Sequence, residues 1–196
     1  MNKHYKDHCT YIVVERKVDS DFVCRRVRES DFEDRFRMIG TPEVFNGLMI
    51  DIPISLEVTR EWCKKAAIAT DRFDFCLEYE GLISGFGGLV NLDRRSRVAE
   101  LYIFVTPERH GQGIGHRFLE HLLSHAKFEL NLRKITLYVS EGNEAAVRFY
   151  ERNGFSLEGR LQKHSWHRGQ YKDRLVYSIF LSDFLGERQA FYGQLG

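Results

Sequence analysis

Three glycines set two residues apart, Gly111, Gly113 and Gly115, close the stretch Val105-Thr-Pro-Glu-Arg-His-Gly-Gln-Gly-Ile-Gly115. Ahead of them, Val98–Val105 alternates and is rich in β-branched and aromatic residues, the pattern of a strand. Behind them, Ile114, Phe118, Leu119, Leu122, Leu123 and Ala126 recur at helical spacing. A glycine-laced corner between strand and helix is suited to holding phosphate. Glycine lets the backbone come close to an anion, and the first helical turn presents unpaired N–H groups at the positive end of the helix dipole. A triphosphate loop of the Walker type would need Lys-Ser/Thr after its last glycine, where His116-Arg117 stands. A dinucleotide turn of the Rossmann type would need its last glycine three residues after the second, not two.

Glu100 is the second chemical signal. It shares a strand face with Tyr102 and Phe104, opposite Ala99, Leu101, Ile103 and Val105. A carboxylate among aromatics on a central strand is costly to bury without a task or a partner. The residue reads as a candidate general base, the alternative being an ion pair with an arginine such as Arg97. The third signal is Asn143-Glu-Ala-Ala-Val-Arg-Phe-Tyr-Glu-Arg-Asn-Gly-Phe155, which places Ala146, Phe149 and Tyr150 on one helix face.

The glycine corner resembles the pyrophosphate loop of the GNAT acetyltransferase superfamily, V-x-P-x-x-Q/R-G-x-G-I/L-G/A, with His110 at the usual glutamine or arginine position. Residues 143–155 resemble the superfamily's N-x-x-A-x-x-x-Y-x-x-x-G-F signature. The resemblance spans about residues 22–182 and is strongest over 98–181. It implies acetyl-CoA as co-substrate, with the diphosphate on His110, Gly111, Gln112, Gly113, Ile114, Gly115 and His116. It implies that backbone groups of Ile103, Phe104 and Val105, on a strand splayed from its neighbour, meet the pantetheine amides and the carbonyl oxygen. Asn143 would contact the pantetheine arm, with Ala146 allowing close approach. Tyr150 would be the acid that protonates the departing sulfur, and Glu100 the base acting on the amine through water. An alkylammonium titrates near ~10, so such help is needed at neutral pH. No cysteine falls in these motifs, which favours direct transfer over an acetyl-enzyme.

The implied fold is a mixed, mainly antiparallel sheet of six to seven strands with one parallel pair, Val98–Val105 beside Ile135–Val139, flanked by about four helices. The expected domains are an N-terminal extension over 1–21, an N-acetyltransferase domain over 22–184 and a tail over 185–196. The order reads as follows. Tyr11–Val14 is an edge-strand candidate, then Phe22–Arg28 a strand. Ser30-Asp-Phe-Glu33 is a capping box opening a helix that Gly40-Thr-Pro42 stops. Glu43–Pro53 reads as a loop, and Ser55 as the cap of a helix over 56–69 bearing Trp62. Phe73–Tyr79 and Leu82–Asn91 form a hairpin across Glu80-Gly81, with Gly85, Gly87 and Gly88 marking a bulge or close backbone approach. The central helix runs over 113–129 and a short one over 143–153, stopped by Gly154. A last hairpin turns at Arg168-Gly169-Gln170.

Composition narrows the classes further. The 196 residues suit one α/β domain, and 29 Lys plus Arg against 28 Asp plus Glu leave a formal charge of +1, with no basic field for nucleic acid. No apolar run reaches membrane-span length, and the N-terminus lacks the apolar core of a signal peptide. Cys9, Cys24, Cys63 and Cys76 are dispersed, as in a reducing compartment, so a cytoplasmic protein is expected. His121 and His125 sit at i, i+4 without a third ligand or an H-E-x-x-H motif, so no metal is expected. His164, His167, Trp166 and Tyr171 either line the acceptor site or pack a hairpin.

The expected activity is N-acetylation of a primary amine on a small molecule, a polyamine or an amino sugar. The resemblance is to a broad subgroup that also includes enzymes acetylating ribosomal-protein N-termini, so a protein N-terminus is the alternative acceptor. A non-catalytic acyl-CoA-binding module is the alternative class. Glu43, Asp51 and Glu57 are candidate acidic groups for a polyamine. A homodimer stays open.

Overall fold

The computed structural model describes residues 16–19, 21–48 and 53–186. Its strands are β1 (Arg16–Asp19), β2 (Phe22–Arg26), β3 (Phe73–Tyr79), β4 (Leu82–Asp93), β5 (Val98–Val105), β6 (Lys134–Ser140), β7 (Ser156–His167) and β8 (Gln170–Phe180). They form one sheet in the spatial order β1-β2-β3-β4-β5-β6-β8-β7. Every adjacent pair is antiparallel except β5 with β6. Eight strands exceed the expected six to seven because Arg16–Asp19 adds a short edge strand beside β2. The Tyr11–Val14 strand candidate lies outside the described residues.

The two faces of this sheet bury two separate cores. One packs Ala99, Leu101, Ile135, Leu137 and Val139 against helices α4 (Ile114–Ser124) and α5 (Glu144–Arg152). The other packs Cys76, Phe86 and Phe104 against α1 (Phe32–Ile39), α2 (Pro42–Leu48) and α3 (Leu56–Ile68). The period-2 alternation of β5 therefore divides its side chains as read: Leu101 to one core, Phe104 to the other.

Three departures have local causes. Residues 43–48, read as loop, are helical. Pro42 stops α1 and also begins α2, where its missing N–H costs nothing. The Val44 and Phe45 amides bond to the Thr41 carbonyl, and both side chains are buried. Second, the expected Ser30–Glu33 capping box gives way to one a residue pair earlier. A single 3-10 turn runs over Glu29–Asp31, the Asp31 carboxylate accepts the Arg28 amide at 2.7 Å, and α1 starts after Asp31 with no side-chain cap bond. There Asp31 is buried and forked by the Arg25 guanidinium at 2.8 Å on both oxygens. Third, the central helix stays α-helical only to Ser124 and continues as a π turn over His125–Glu129.

Other elements follow their local signals. Ser55 Oγ accepts the Val58 amide at the start of α3. The hairpin turn holds Glu80 and Gly81 both at positive φ, 53° and 74°. Close backbone approach is the reason for the β4 glycines: a Cβ on Gly85 would lie 2.7 Å from the Phe104 carbonyl, and one on Gly88 would lie 2.8 Å from that of Phe73.

Candidate active site

The parallel pair is short. β5 and β6 are in register only from Val98↔Lys134 to Glu100↔Thr136. Beyond Glu100, β5 keeps its ladder to β4 as far as Gly85↔Val105, while β6 keeps its ladder to β8 as far as Ser140↔Arg174. The β6-facing backbone edge of Leu101–Val105 is thus left without a strand partner. A cleft of about 1280 Å³ occupies the opening and reaches both faces of the sheet. Of the residues named from sequence, Glu100, Ile103, Phe104, Val105, His110, Gly111, Gly113, Gly115, His116, Asn143, Ala146 and Tyr150 all line it. Gln112 and Ile114 do not. Gln112 is exposed and its side-chain amide donates to the Glu108 carbonyl at 3.3 Å, while the Ile114 side chain belongs to the core.

At one end of the cleft the glycine corner has the conformation its composition requires. Gly111 and Gly113 both sit at φ +77°, a left-handed geometry that a Cβ disfavours although space is open around each. The backbone ladder of α4 begins with the Arg117 amide bonded to the Gly113 carbonyl at 3.2 Å, so the N–H groups of Ile114, Gly115 and His116 are unused within the helix. Together with the dipole of α4 they form an anion cradle. His110 Nε2 lies 3.1 Å from the Val105 carbonyl, bracing the corner against the end of β5. His116 Nδ1 is 2.5 Å from Asn153 Oδ1, tying α4 to the end of α5.

Tyr150 stands on the same side of the cleft. Its ring packs edge-on against Phe149 and Phe155 at 5.2 and 5.4 Å. Burial pushes its phenol above the ordinary value, so the group is protonated at neutral pH. Among the described residues its hydroxyl donates to no protein acceptor, unlike Tyr177, whose hydroxyl donates to Glu151 at 3.0 Å. Asn143 caps α5, its Oδ1 accepting the Ala146 amide at 3.1 Å, and it faces the cleft from that position.

Glu100 opens onto the opposite face. Its partner is not Arg97, which is turned onto Asn131, with Nε 2.6 Å from the carbonyl oxygen. Instead Asn91 Nδ2 donates to Glu100 Oε2 at 2.8 Å. Asn91 reaches it from a β4 irregularity between Val90 and Asp93, where its own φ is +51°. Arg174, on the same face, has its guanidinium 4.9 Å from the Tyr138 ring. Burial lowers its pKa, and the charge on Glu100 opposes that shift.

Several lining residues carried no sequence signal. Arg35 of α1 lies with its guanidinium carbon 3.6 Å above the Trp62 ring of α3 and within 5.4 Å of the Phe86 and Phe104 rings. Arg72 forks onto the fully buried Asp74 at 2.6 and 2.8 Å, and Tyr102 donates to the same carboxylate at 2.7 Å. Burial raises the Tyr102 phenol, with Arg35 acting against it. Only tertiary packing brings these groups together.

The remaining candidates sort clearly. Glu43 lines the cleft, Glu57 instead pairs with Arg60 along α3, and Asp51 lies outside the described residues. The histidines of the last hairpin do not line the cleft. His164 stacks on Tyr138 at 6.3 Å, His167 Nε2 meets Asn46 Oδ1 at 3.2 Å, and Trp166 packs edge-on against Tyr171. His121 and His125 pack against Phe75 instead. No described helix is long and apolar enough to cross a membrane.

Comparison with known proteins agrees with this geometry. Residues 42–155 match the family model described as acetyltransferase (GNAT) family. The chain is 33% identical over 115 residues to a spermidine N(1)-acetyltransferase of Escherichia coli (strain K12), covering 59% of this chain and 62% of that protein. It is 31% identical over 112 residues to the putative ribosomal N-acetyltransferase YdaF of Bacillus subtilis (strain 168), covering 57% of this chain and 61% of that one. The matches thus span about three fifths of the length of each curated relative. In three dimensions the chain superposes on the crystal structure of spermidine N-acetyltransferase from Vibrio cholerae in complex with CoA and spermine. The TM-score is 0.78 at 24% identity, covering 85% of this chain and 99% of that one, which establishes the shared fold. With the open strand pair, the glycine corner and the family match in agreement, this chain belongs to the GNAT acetyltransferase family.

Proposed function

We propose that this chain is an acetyl-CoA-dependent N-acetyltransferase that moves the acetyl group directly onto a primary amine of a small molecule. The observation that carries the reading is the opening of β5 from β6, with an anion cradle at one end and Tyr150 and Glu100 on its walls. The donor set fits the co-substrate. The unused amides of Ile114–His116 suit a diphosphate, and the unpaired edge of Leu101–Val105 suits a chain of amides laid along it. Ile103, Phe104, Val105, His110, Gly111, Gln112, Gly113, Ile114, Gly115, His116, Asn143 and Ala146 form this half. For Gln112 and Ile114 the contribution is through the backbone. Bound acetyl-CoA would supply an activated acyl group as a thioester.

The chain's own groups do the rest. Glu100, held by Asn91, accepts the proton that an alkylammonium must lose before its nitrogen can attack. Tyr150 holds a proton at its hydroxyl for the sulfur that departs. Backbone N–H groups at the free edge of β5 are aimed where negative charge develops on the carbonyl oxygen.

The spermidine N-acetyltransferases among the relatives support polyamines as acceptors, and Glu43 and Glu100 are lining carboxylates of the right sign for them. Amino sugars are the other small-molecule class. YdaF, named a putative ribosomal N-acetyltransferase, supports a peptide N-terminus as a second reading. Release of coenzyme A, measured with spermidine, amino sugars and N-terminal peptides, tests all three. Tight acetyl-CoA binding without turnover of any amine would leave a non-catalytic acyl-CoA-binding module.

A further inference from the structure

Resting on the acetyltransferase reading, the geometry points to an acceptor amine that also carries an oxyanion, a carboxylate or a phosphate, held by the guanidinium of Arg35. On the Glu100 face the cleft is lined by three arginines, Arg35, Arg72 and Arg174. Two of them stand beside a carboxylate. Arg72 is forked onto Asp74, and Arg174 lies against Tyr138 with its Nε buried and unpaired among the described residues, under the charge of Glu100 on the same face. Among the described residues Arg35 is held by ring faces, Trp62 beneath it with Phe86 and Phe104 further off, and its buried Nη1 has no hydrogen-bond partner. Glu43 lines the same side from α2, but among the described residues no ion pair joins it to Arg35.

Arg35 is half-buried, and a guanidinium partly withdrawn from water with no carboxylate bonded to it has its charge only partly compensated by solvent. Stacking on aromatic faces satisfies the plane of the group and leaves its N–H donors unspent. Those donors lie in a rigid fork whose geometry matches a carboxylate or phosphate in two parallel hydrogen bonds. Trp62, its ring 3.6 Å from the guanidinium carbon, holds that fork in place, so little side-chain entropy is lost when an anion docks. The same residue is unfavourable for a polycation, since a second ammonium in this part of the cleft would meet an unneutralised like charge. A single cleft would then take the amine at Glu100 and the anion at Arg35.

The test is a set of acceptor pairs that differ only in the anion, assayed by coenzyme A release: glucosamine 6-phosphate against glucosamine, and alanine against alaninamide, with spermidine as the polycation. The two pairs separate phosphate from carboxylate. The expected result is a kcat/KM about 10- to 100-fold higher for the anionic member of at least one pair, the factor that charge-assisted hydrogen bonds supply. In Arg35→Gln that preference should collapse toward one and the KM for spermidine should fall. Arg35→Lys should restore part of the preference. Acetyl-CoA affinity, measured by calorimetry on each variant, reports that the fold and the other half of the cleft are intact. Spermidine or a neutral amine preferred by the wild type, with the ratio unmoved in Arg35→Gln, would overturn the anion subsite and leave the acetyltransferase reading standing. No turnover of any amine by a protein that binds acetyl-CoA would overturn both.

Discussion

The two ends of the cleft are built on different principles. The glycine corner works through backbone: left-handed glycines at 111 and 113, then the unused amides of a helix start. The opposite face works through side chains from elements far apart in the chain, Arg35 on α1, Trp62 on α3, Asn91 on β4, Glu100 on β5 and Arg174 on β8. A backbone device needs particular residues in one contiguous run, so its composition announces it. A side-chain device tolerates many sequences, because what matters is which groups the fold places together.

This contrast can be broken experimentally. The largest effect is expected at Tyr150, the proposed acid on the wall shared with the glycine corner. Tyr150→Phe should lower kcat about 100- to 1000-fold, with acetyl-CoA affinity changed by less than about 3-fold. Equal losses in both would make the residue a packing element. On the other face, Asp74→Ala removes the carboxylate that holds both Arg72 and Tyr102. Urea denaturation should show a loss of about 3 kcal/mol, as for a buried charge stripped of its partner. A loss below about 1 kcal/mol would show that solvent reaching Arg72 replaces the pair.

Glu100→Gln comes next. The variant should be slowed about 100-fold at neutral pH, and the deficit should shrink as pH approaches the amine's own pKa near ~10. A pH–rate profile parallel to the wild type would exonerate Glu100. For the corner, Gly113→Ala meets no steric obstacle but must hold a Cβ at φ +77°, so about 1–2 kcal/mol is lost from the backbone geometry proposed to hold the diphosphate. Roughly 10-fold weaker acetyl-CoA binding by calorimetry is the outcome that supports a backbone-built site.

The smallest effect concerns how α4 is anchored behind the corner. His125 follows α4 and packs on Phe73 and Phe75 of β3, and burial, with smaller contributions from His121 and Arg26, lowers its pKa from 6.5 to about 3. Between those values the unfolded chain binds a proton that the folded one refuses. Stability is therefore full above the unfolded pKa and falls as pH drops from about 6.5 toward 3. His125→Phe should flatten that part of a Tm-against-pH curve, and an unchanged slope would assign the acid sensitivity elsewhere.

Legibility differed from place to place for physical reasons. The strand–corner–helix unit, the capped α5 with Gly154 at φ +84° and the Glu80-Gly81 turn were readable because each depends on residues adjacent in sequence. Pro42 misled in part, since the same ring that ends one helix can begin another. Asn91 could have been suspected only as a polar residue that tolerates positive φ; its bond to Glu100 spans a bulge that no alternation pattern reveals. Arg35 gave no signal, for it reads as one more charge on a short amphipathic helix.

By itself the sequence determined the period of each strand and helix, the left-handed corner and the family's motif residues, because these follow from steric and hydrogen-bonding limits within a few consecutive residues. Only the tertiary structure decided that β5 parts from β6 after Glu100 and that Arg35 lies on Trp62 with a nitrogen unpaired. Those facts depend on how separate elements pack, and packing free energy is a property of the whole assembled core rather than of any one segment.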